Sequence, residues 1–322
     1  MKHIISIVAI VFLLFSCDKK SKVEKAVEEI PVAMKVIRFE QDFFEAKPED
    51  LVTLKSKYPE FFPKDTPDAV WIEKQQNKDW RDLYSEVEKQ YKDFSDEQTN
   101  IEDLFKHIKY YFPKVNTPQI YTVIGDMDYK NKVIYAPGKL IICLEMCLGK
   151  DSKFYVDVPE YIKQNFDRKQ ILPDIVSGFS YQVNPAPKSK EFIAEMVYYG
   201  KELYMKDLLL PDYTDADRIG YTEDQIKFCQ GNEYYIWSYF IEKQLLYSTN
   251  PKLASQFITL APFSKFYLEL DNETPGRIGQ WVGWQIVRSY MENNPEVTLD
   301  QLLKTDPKTI FEQSKYKPKK NE

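Results

Sequence analysis

A chain of 322 residues that is 43% hydrophobic and 15% aromatic has enough apolar side chain for a sizeable core, which excludes general disorder. Its 44 Lys and Arg against 50 Asp and Glu leave a net charge of -6 with both signs scattered, so no nucleic-acid surface is indicated. Ten glycines argue against glycine-rich phosphate loops and tightly turned barrels, and two histidines, His3 and His107, leave little imidazole for acid-base work or zinc.

Lys2 and His3 form a short basic start, and Ile4 to Ser16 is an apolar run too short to span a bilayer as a helix. The run ends in Leu14-Phe15-Ser16-Cys17, a lipobox-like site where a bacterial signal peptidase cuts before the cysteine. Phe15 is bulkier than the small residue usual there. An ordinary secretory signal with a chance cysteine is the competing reading, but no A-x-A-like site stands nearby. Residues 1–16 therefore read as a lipoprotein signal peptide, Cys17 as the lipidation site, 17–32 as a charged lipidated tether and 33–322 as one domain. Acyl chains contribute about 0.8 kcal/mol per buried methylene, so the membrane is the first expected partner. The tether lacks an acidic run beside Cys17, which points to a periplasmic orientation on either the inner or the outer membrane. Cys143, Cys147 and Cys229 then remain, and a C-x3-C spacing without a second pair or a histidine reads as buried free thiols, not a metal pair.

Met34 to Phe39 alternates apolar and charged residues and predicts a strand. Pro48 suits a helix start, Thr66-Pro67 opens a helix at Asp68, and Ser95-Asp96-Glu97-Gln98 reads as a capping box whose helix stops at Phe112-Pro113. Trp71, Trp80, Leu83, Tyr84, Val87 and Tyr91 recur at helical spacing and read as core. From Pro118 the period shortens to that of strands, over 119–124, 132–136 and 139–144, which predicts a small meander. Helices are predicted at 159–167, 171–183, 189–209, 223–248, 252–260, 277–293 and 299–305, with capping boxes at Thr222 and Thr298. The expected fold is α+β, predominantly helical with a small amino-terminal sheet.

Asp215-Ala216-Asp217-Arg218-Ile219-Gly220 starts like a calcium loop, but Ile219 and Ile226 occupy positions that need oxygen ligands, so it reads as a polar turn. Gly125-Asp126-Met127-Asp128 likewise reads as a turn between strands. Asn232, Glu233 and Trp237 lie within a long helical pattern, with Trp237 assigned to core and the two polar residues to backbone contacts or a polar site. Pro275 to Met291 gathers Gly279, Gly283, Trp281, Trp284, Arg277 and Arg288 in one helical period. Glycines four apart bare one strip of a helix at about 1 kcal/mol each relative to alanine, so a closely crossing helix is expected. Arg277 is expected in the first turn, where a cation opposes the helix dipole and needs an acidic neighbour such as Glu233 or a partner's carboxylate.

With Met196 through Tyr204, Leu210-Pro211, Asn232-Glu233, Leu246-Tyr247, Ala261-Pro262-Phe263 and the lipobox, this segment resembles the gliding-motility lipoproteins of the Bacteroidetes, the GldB family. The resemblance covers nearly the whole chain. It implies a cell-envelope lipoprotein needed for gliding, partnered by gliding and adhesin-export machinery, without cofactor or metal, and of unstated oligomeric state. The carboxyl-terminal pattern is also similar to that of predicted zinc-dependent proteases carrying H-E-x-x-H. Aligning that helix with 171–183 sets Asp174, Ile175 and Gly178 at the motif positions, which implies a zincin-like scaffold emptied of metal, a pseudoenzyme. The expected role is therefore non-enzymatic, against a metal-dependent hydrolase or a glycan-binding lipoprotein as alternatives.

Overall fold

The computed structural model describes residues 21–269 and 271–320. The signal peptide and Cys17 lie outside them. Four strands form one sheet: β1 (Val36–Arg38), β2 (Gln119–Val123), β3 (Val133–Ala136) and β4 (Lys139–Cys143), in the order β1-β2-β4-β3. This corrects the expected meander. β2 runs parallel to β1 and to β4, with Ile120 opposite Leu140, and only β3 is antiparallel to its neighbour. Burial explains the order, because β2 is covered along most of its length and belongs in the centre, whereas half-covered β3 tolerates the edge. Gly138 takes a positive φ of 75° in the β3–β4 turn.

The chain crosses from β1 to β2 through α2 (Phe39–Glu45), α3 (Leu51–Lys57), α4 (Asp68–Gln76), α5 (Lys78–Gln90) and α6 (Ser95–Tyr111), preceded by α1 (Lys22–Glu28). α1 falls within the segment read as tether. It is closed by a Ser21–Glu24 capping box and buries Val27. Phe39, expected in the strand, starts α2 instead, where the neighbouring Glu40 carboxylate accepts from Thr122 of β2. The Ser95 capping box is also corrected: Ser95 is the first helical residue, and its N–H is capped by Asp93 Oδ1 at 2.9 Å. Gln98 turns instead to the carbonyl of Met34, tying α6 to the approach to β1.

The second half is helical: α7 (Glu160–Lys163), α8 (Ile171–Val183), α9 (Phe192–Leu209), α10 (Asp215–Ile219), α11 (Glu223–Glu242), α12 (Ile278–Asn293), α13 (Leu299–Lys304) and α14 (Pro307–Ser314). The Thr222 and Thr298 capping boxes form as the sequence indicates. α11 ends six residues before its predicted 248, because Gln244 turns the chain at φ 54° and Leu245 N–H closes on Phe240 O. The predicted 252–260 helix is a π-helical turn at Ala254–Ile258. α14 has no counterpart in the predicted elements, although Asp306 caps it and Pro307 begins it.

The centre of this half is the crossing of α9 and α12. A Cβ placed on Gly283 would stand 1.8 Å from Met196 O, and one on Gly200 would stand 2.3 Å from Gly283 O. Two backbones therefore meet directly. Phe192, Met196, Val197, Trp281, Trp284, Ile286 and Val287 fill the space on either side, none more than 2% exposed. No helix among the described residues is long and apolar enough to cross a membrane.

Candidate binding cleft at the start of α12

Where α8 and α9 lie against the start of α12, a cavity of about 220 Å³ opens between them. α8 contributes Asp174, Ser177 and Tyr181, and α9 contributes Tyr199, Glu202 and Lys206. Both sets follow the same helical spacing, so each helix turns one polar stripe to the cleft and keeps its apolar face for the core. Lys132 enters ahead of β3, Arg218 and Gly220 from the end of α10, and Leu260 and Arg277 from the approach to α12.

Most of these charges already have partners. Lys132 Nζ lies 2.6 Å from Asp174 Oδ2. Glu202 accepts from Ser177 Oγ at 2.6 Å and Ser180 Oγ at 3.4 Å, and Lys206 Nζ stands 3.4 Å from it. Burial lowers the pKa of Lys206 below the ordinary lysine value, and the Glu202 carboxylate opposes that shift. Arg218 joins a network on the far side. Asp207 accepts from Arg288 Nη2 at 2.6 Å and from Trp284 Nε1 at 2.8 Å, while Asp215 takes both Arg288 and Arg218. The Arg288 hydrogen bond holds the Asp215 carboxyl below the usual carboxylate range. Arg288 also stacks over the Trp284 ring, 3.7 Å from its centroid. The segment that begins like a calcium loop is thus helix α10, closed by a Thr214–Asp217 capping box and a left-handed Gly220.

Arg277 differs from its neighbours. It is not in the first turn, as expected, but at the N-cap with φ 63°, a left-handed conformation uncommon for a residue with a side chain. The turn is fixed from several sides. A Cβ on Gly276 would stand 2.1 Å from Ala261 O, Ile278 N–H donates to Ser264 Oγ at 3.2 Å, and Tyr221 OH donates to Gly276 O. The guanidinium donates to Gly220 O at 3.3 Å and lies over the Tyr221 ring. Its expected acidic neighbour is elsewhere, because Glu233 accepts from Tyr316 OH at 2.7 Å.

The remaining sequence candidates disperse. Asn232 donates to Phe228 O one turn back within α11, whereas Trp237 packs edgewise on Phe311 and Tyr316 and with Glu233 fastens α14 and the chain after it to α11. Gly279 lies beneath Phe257, Ile258 and Phe192, Gly283 sits in the helix crossing, and Trp281 and Trp284 are core. The positions aligned with H-E-x-x-H do not converge: Asp174 faces the cleft, Ile175 is fully buried and Gly178 packs on Tyr135. Among the described residues, no group of three or more His, Cys, Asp or Glu is placed to hold a metal. Cys143, Cys147 and Cys229 are free thiols, and burial raises the pKa of each. Sequence reasoning passes over Lys132, Ser177, Glu202, Lys206 and Asp207. A usable signal exists in Glu202 and Lys206, opposite charges four residues apart in a helix whose apolar residues predominate.

A family model described as gliding motility protein GldB matches residues 20–318, which takes in the whole sheet, the cleft and the glycine crossing. The chain belongs to the GldB family. GldB-family membership makes it a gliding-motility lipoprotein and lends the zincin relation no support. No curated protein and no solved structure matches it.

Proposed function

We propose that this GldB-family chain is held to the envelope membrane by acylated Cys17, faces the periplasm, and serves gliding by binding a partner or ligand, not by catalysis. The observation that carries the binding reading is the state of the cleft's carboxylates. Asp174 is engaged by Lys132, and Glu202 by Lys206, Ser177 and Ser180. A carboxylate held by an ammonium group gains nothing from a metal unless the pair is first broken. The cleft is built to keep fixed charges in place, as a recognition surface does. Adhesin-export machinery is the proposed context of that binding, on the strength of the family.

Elemental analysis of the purified chain, beside an assay for peptide hydrolysis, tests this directly. Substoichiometric zinc and no turnover are expected. One metal per chain with chelator-sensitive turnover would restore the hydrolase reading. For the anchor, Cys17→Ser is expected to move the protein from the membrane pellet to the soluble fraction, and retention in the pellet with normal processing would rule the acyl anchor out.

A further inference from the structure

The geometry points to a carboxylate-recognition site built around Arg277, in which the cleft takes an organic monoacid with an apolar or aromatic body. The inference rests on the binding reading of the same cleft and adds the chemical class of what enters it. Among the described cations lining the cavity, Arg277 alone has no carboxylate partner: Lys132 has Asp174, Lys206 has Glu202, and Arg218 has Asp207 and Asp215. Its guanidinium donates to a backbone carbonyl, that of Gly220, at 3.3 Å. A guanidinium carries five N–H donors in a planar fork, and the matching ligand for its open edge is a carboxylate or a phosphate oxygen pair.

Two further features narrow the class. Asp174 and Glu202 line the same cavity but are each paired with a lysine, which leaves the Arg277 guanidinium as the one charge to be balanced: a monoanion balances it, where a dianion brings a second negative charge with no free cation to meet it. This favours carboxylate over phosphate. The wall also carries Tyr199, Leu260 and the 66% exposed Tyr181, along with the amides Asn165, Gln170 and Gln280, a surface that can take a hydrocarbon body next to the charge. The left-handed backbone at Arg277 is the third, independent observation. Strain at a residue with a side chain persists where the surroundings enforce it, and here Gly276, Ser264 and Tyr221 all do so. The turn orients the guanidinium over Tyr221 and beside the cavity before any ligand arrives.

The source of the carboxylate is either the free carboxyl terminus of a peptide or a small organic acid. Titration calorimetry on the full chain in detergent distinguishes them. The probes are N-acetylphenylalanine, its amide, inorganic phosphate, and the tripeptide Ala-Ala-Phe. Saturable binding of N-acetylphenylalanine is expected, with the amide and phosphate at least about tenfold weaker. Tighter binding of the tripeptide assigns the site to peptide termini, and equal or weaker binding assigns it to small acids. Arg277→Gly, which keeps the left-handed backbone free of strain, should lose about tenfold or more for the acid, and Arg277→Lys should fall between, keeping charge without the fork. Equal affinity for acid and amide, tighter phosphate binding, no binding of any probe, or an unchanged affinity in a folded Arg277→Gly protein would each overturn the inference. Measured turnover or stoichiometric zinc would instead sink the binding-only reading while leaving acid recognition by Arg277 standing.

Discussion

The middle and the start of α12 put neighbouring glycines and arginines to opposite uses. At Gly283 the helix meets α9 backbone to backbone, with Met196 O and Gly200 where side chains would stand. Six residues earlier, at Arg277, the chain is forced left-handed and turned to a charged cavity. The first region gains from excluding everything, including a methyl group. The second holds charges in fixed positions at a cost in burial and strain. Substitutions should therefore separate stability from function along a single helix.

The largest effect is expected in the crossing. A methyl at Gly283 cannot be accommodated by a side-chain shift, because the obstacle is the α9 backbone, so Gly283→Ala should cost more than the about 1–3 kcal/mol of ordinary overpacking. Gly231 supplies the control. It is exposed on α11, with no atom of a neighbouring element within 4 Å of where a methyl would stand, and Gly231→Ala should stabilise by about 0.5–1 kcal/mol. Thermal melts of both check the contrast, and a Gly283→Ala protein as stable as wild type would refute the close crossing. Next in size is Asp207→Asn, which weakens bonds from Trp284, Arg288 and Arg218 at the joint between crossing and cleft. Breaking one partner of a fully buried pair costs about 3–5 kcal/mol, and partial exposure of Arg288 reduces the expectation here to about 1–3 kcal/mol by denaturant titration.

How far each region is legible in the sequence follows from the same contrast. The crossing leaves a mark because glycines at helical spacing are costly and need a packing reason, and the two capping boxes at Thr222 and Thr298 encode their own helix starts. The cleft leaves almost none. Lys132, Asp174, Glu202 and Lys206 come from three separate segments, and nothing in a linear reading pairs Lys132 with Asp174 across the turn into β3. The sheet order is hidden for a similar reason: short apolar runs identify strands but not which of them is central, and only burial of β2 on both faces places it between β1 and β4. Arg277 stands out by its motif, yet it falls one position before the helix it is expected to begin, because a left-handed arginine is not what local propensity predicts.

Within the cleft, Glu202→Gln should destabilise by about 1–3 kcal/mol at neutral pH, since it leaves the buried Lys206 ammonium with only the more distant Asp174 carboxylate, itself paired with Lys132, as counter-charge. The pH dependence carries the sign. Lys206 already has a folded pKa below its unfolded value, so the folded state binds fewer protons and stability rises as pH climbs from the folded pKa toward the unfolded one. Removing Glu202 takes away the attraction that holds the folded value up and widens that window. Chemical denaturation from pH 7 to 10 should therefore show a steeper rise for Glu202→Gln than for wild type. Parallel curves would mean that Ser177, Ser180 and Lys206 do not depend on the carboxylate's charge.

The smallest stability effect is expected at Arg277, and its smallness is what gives the prediction force. Arg277→Gly removes a left-handed strain of about 1–2 kcal/mol. Against that stand the added unfolded-chain entropy of glycine, about 0.5–1 kcal/mol, and a lost cation–ring contact over Tyr221 of similar size. These contributions nearly cancel, so the melting temperature should stay within a few degrees of wild type. Gliding, by contrast, should be impaired, because the side chain lines the cavity and not the core. A motility assay beside the melt decides the matter. If Arg277→Gly unfolds readily, the start of α12 is scaffold like its middle, and if the variant is stable and glides normally, the strained turn serves packing alone.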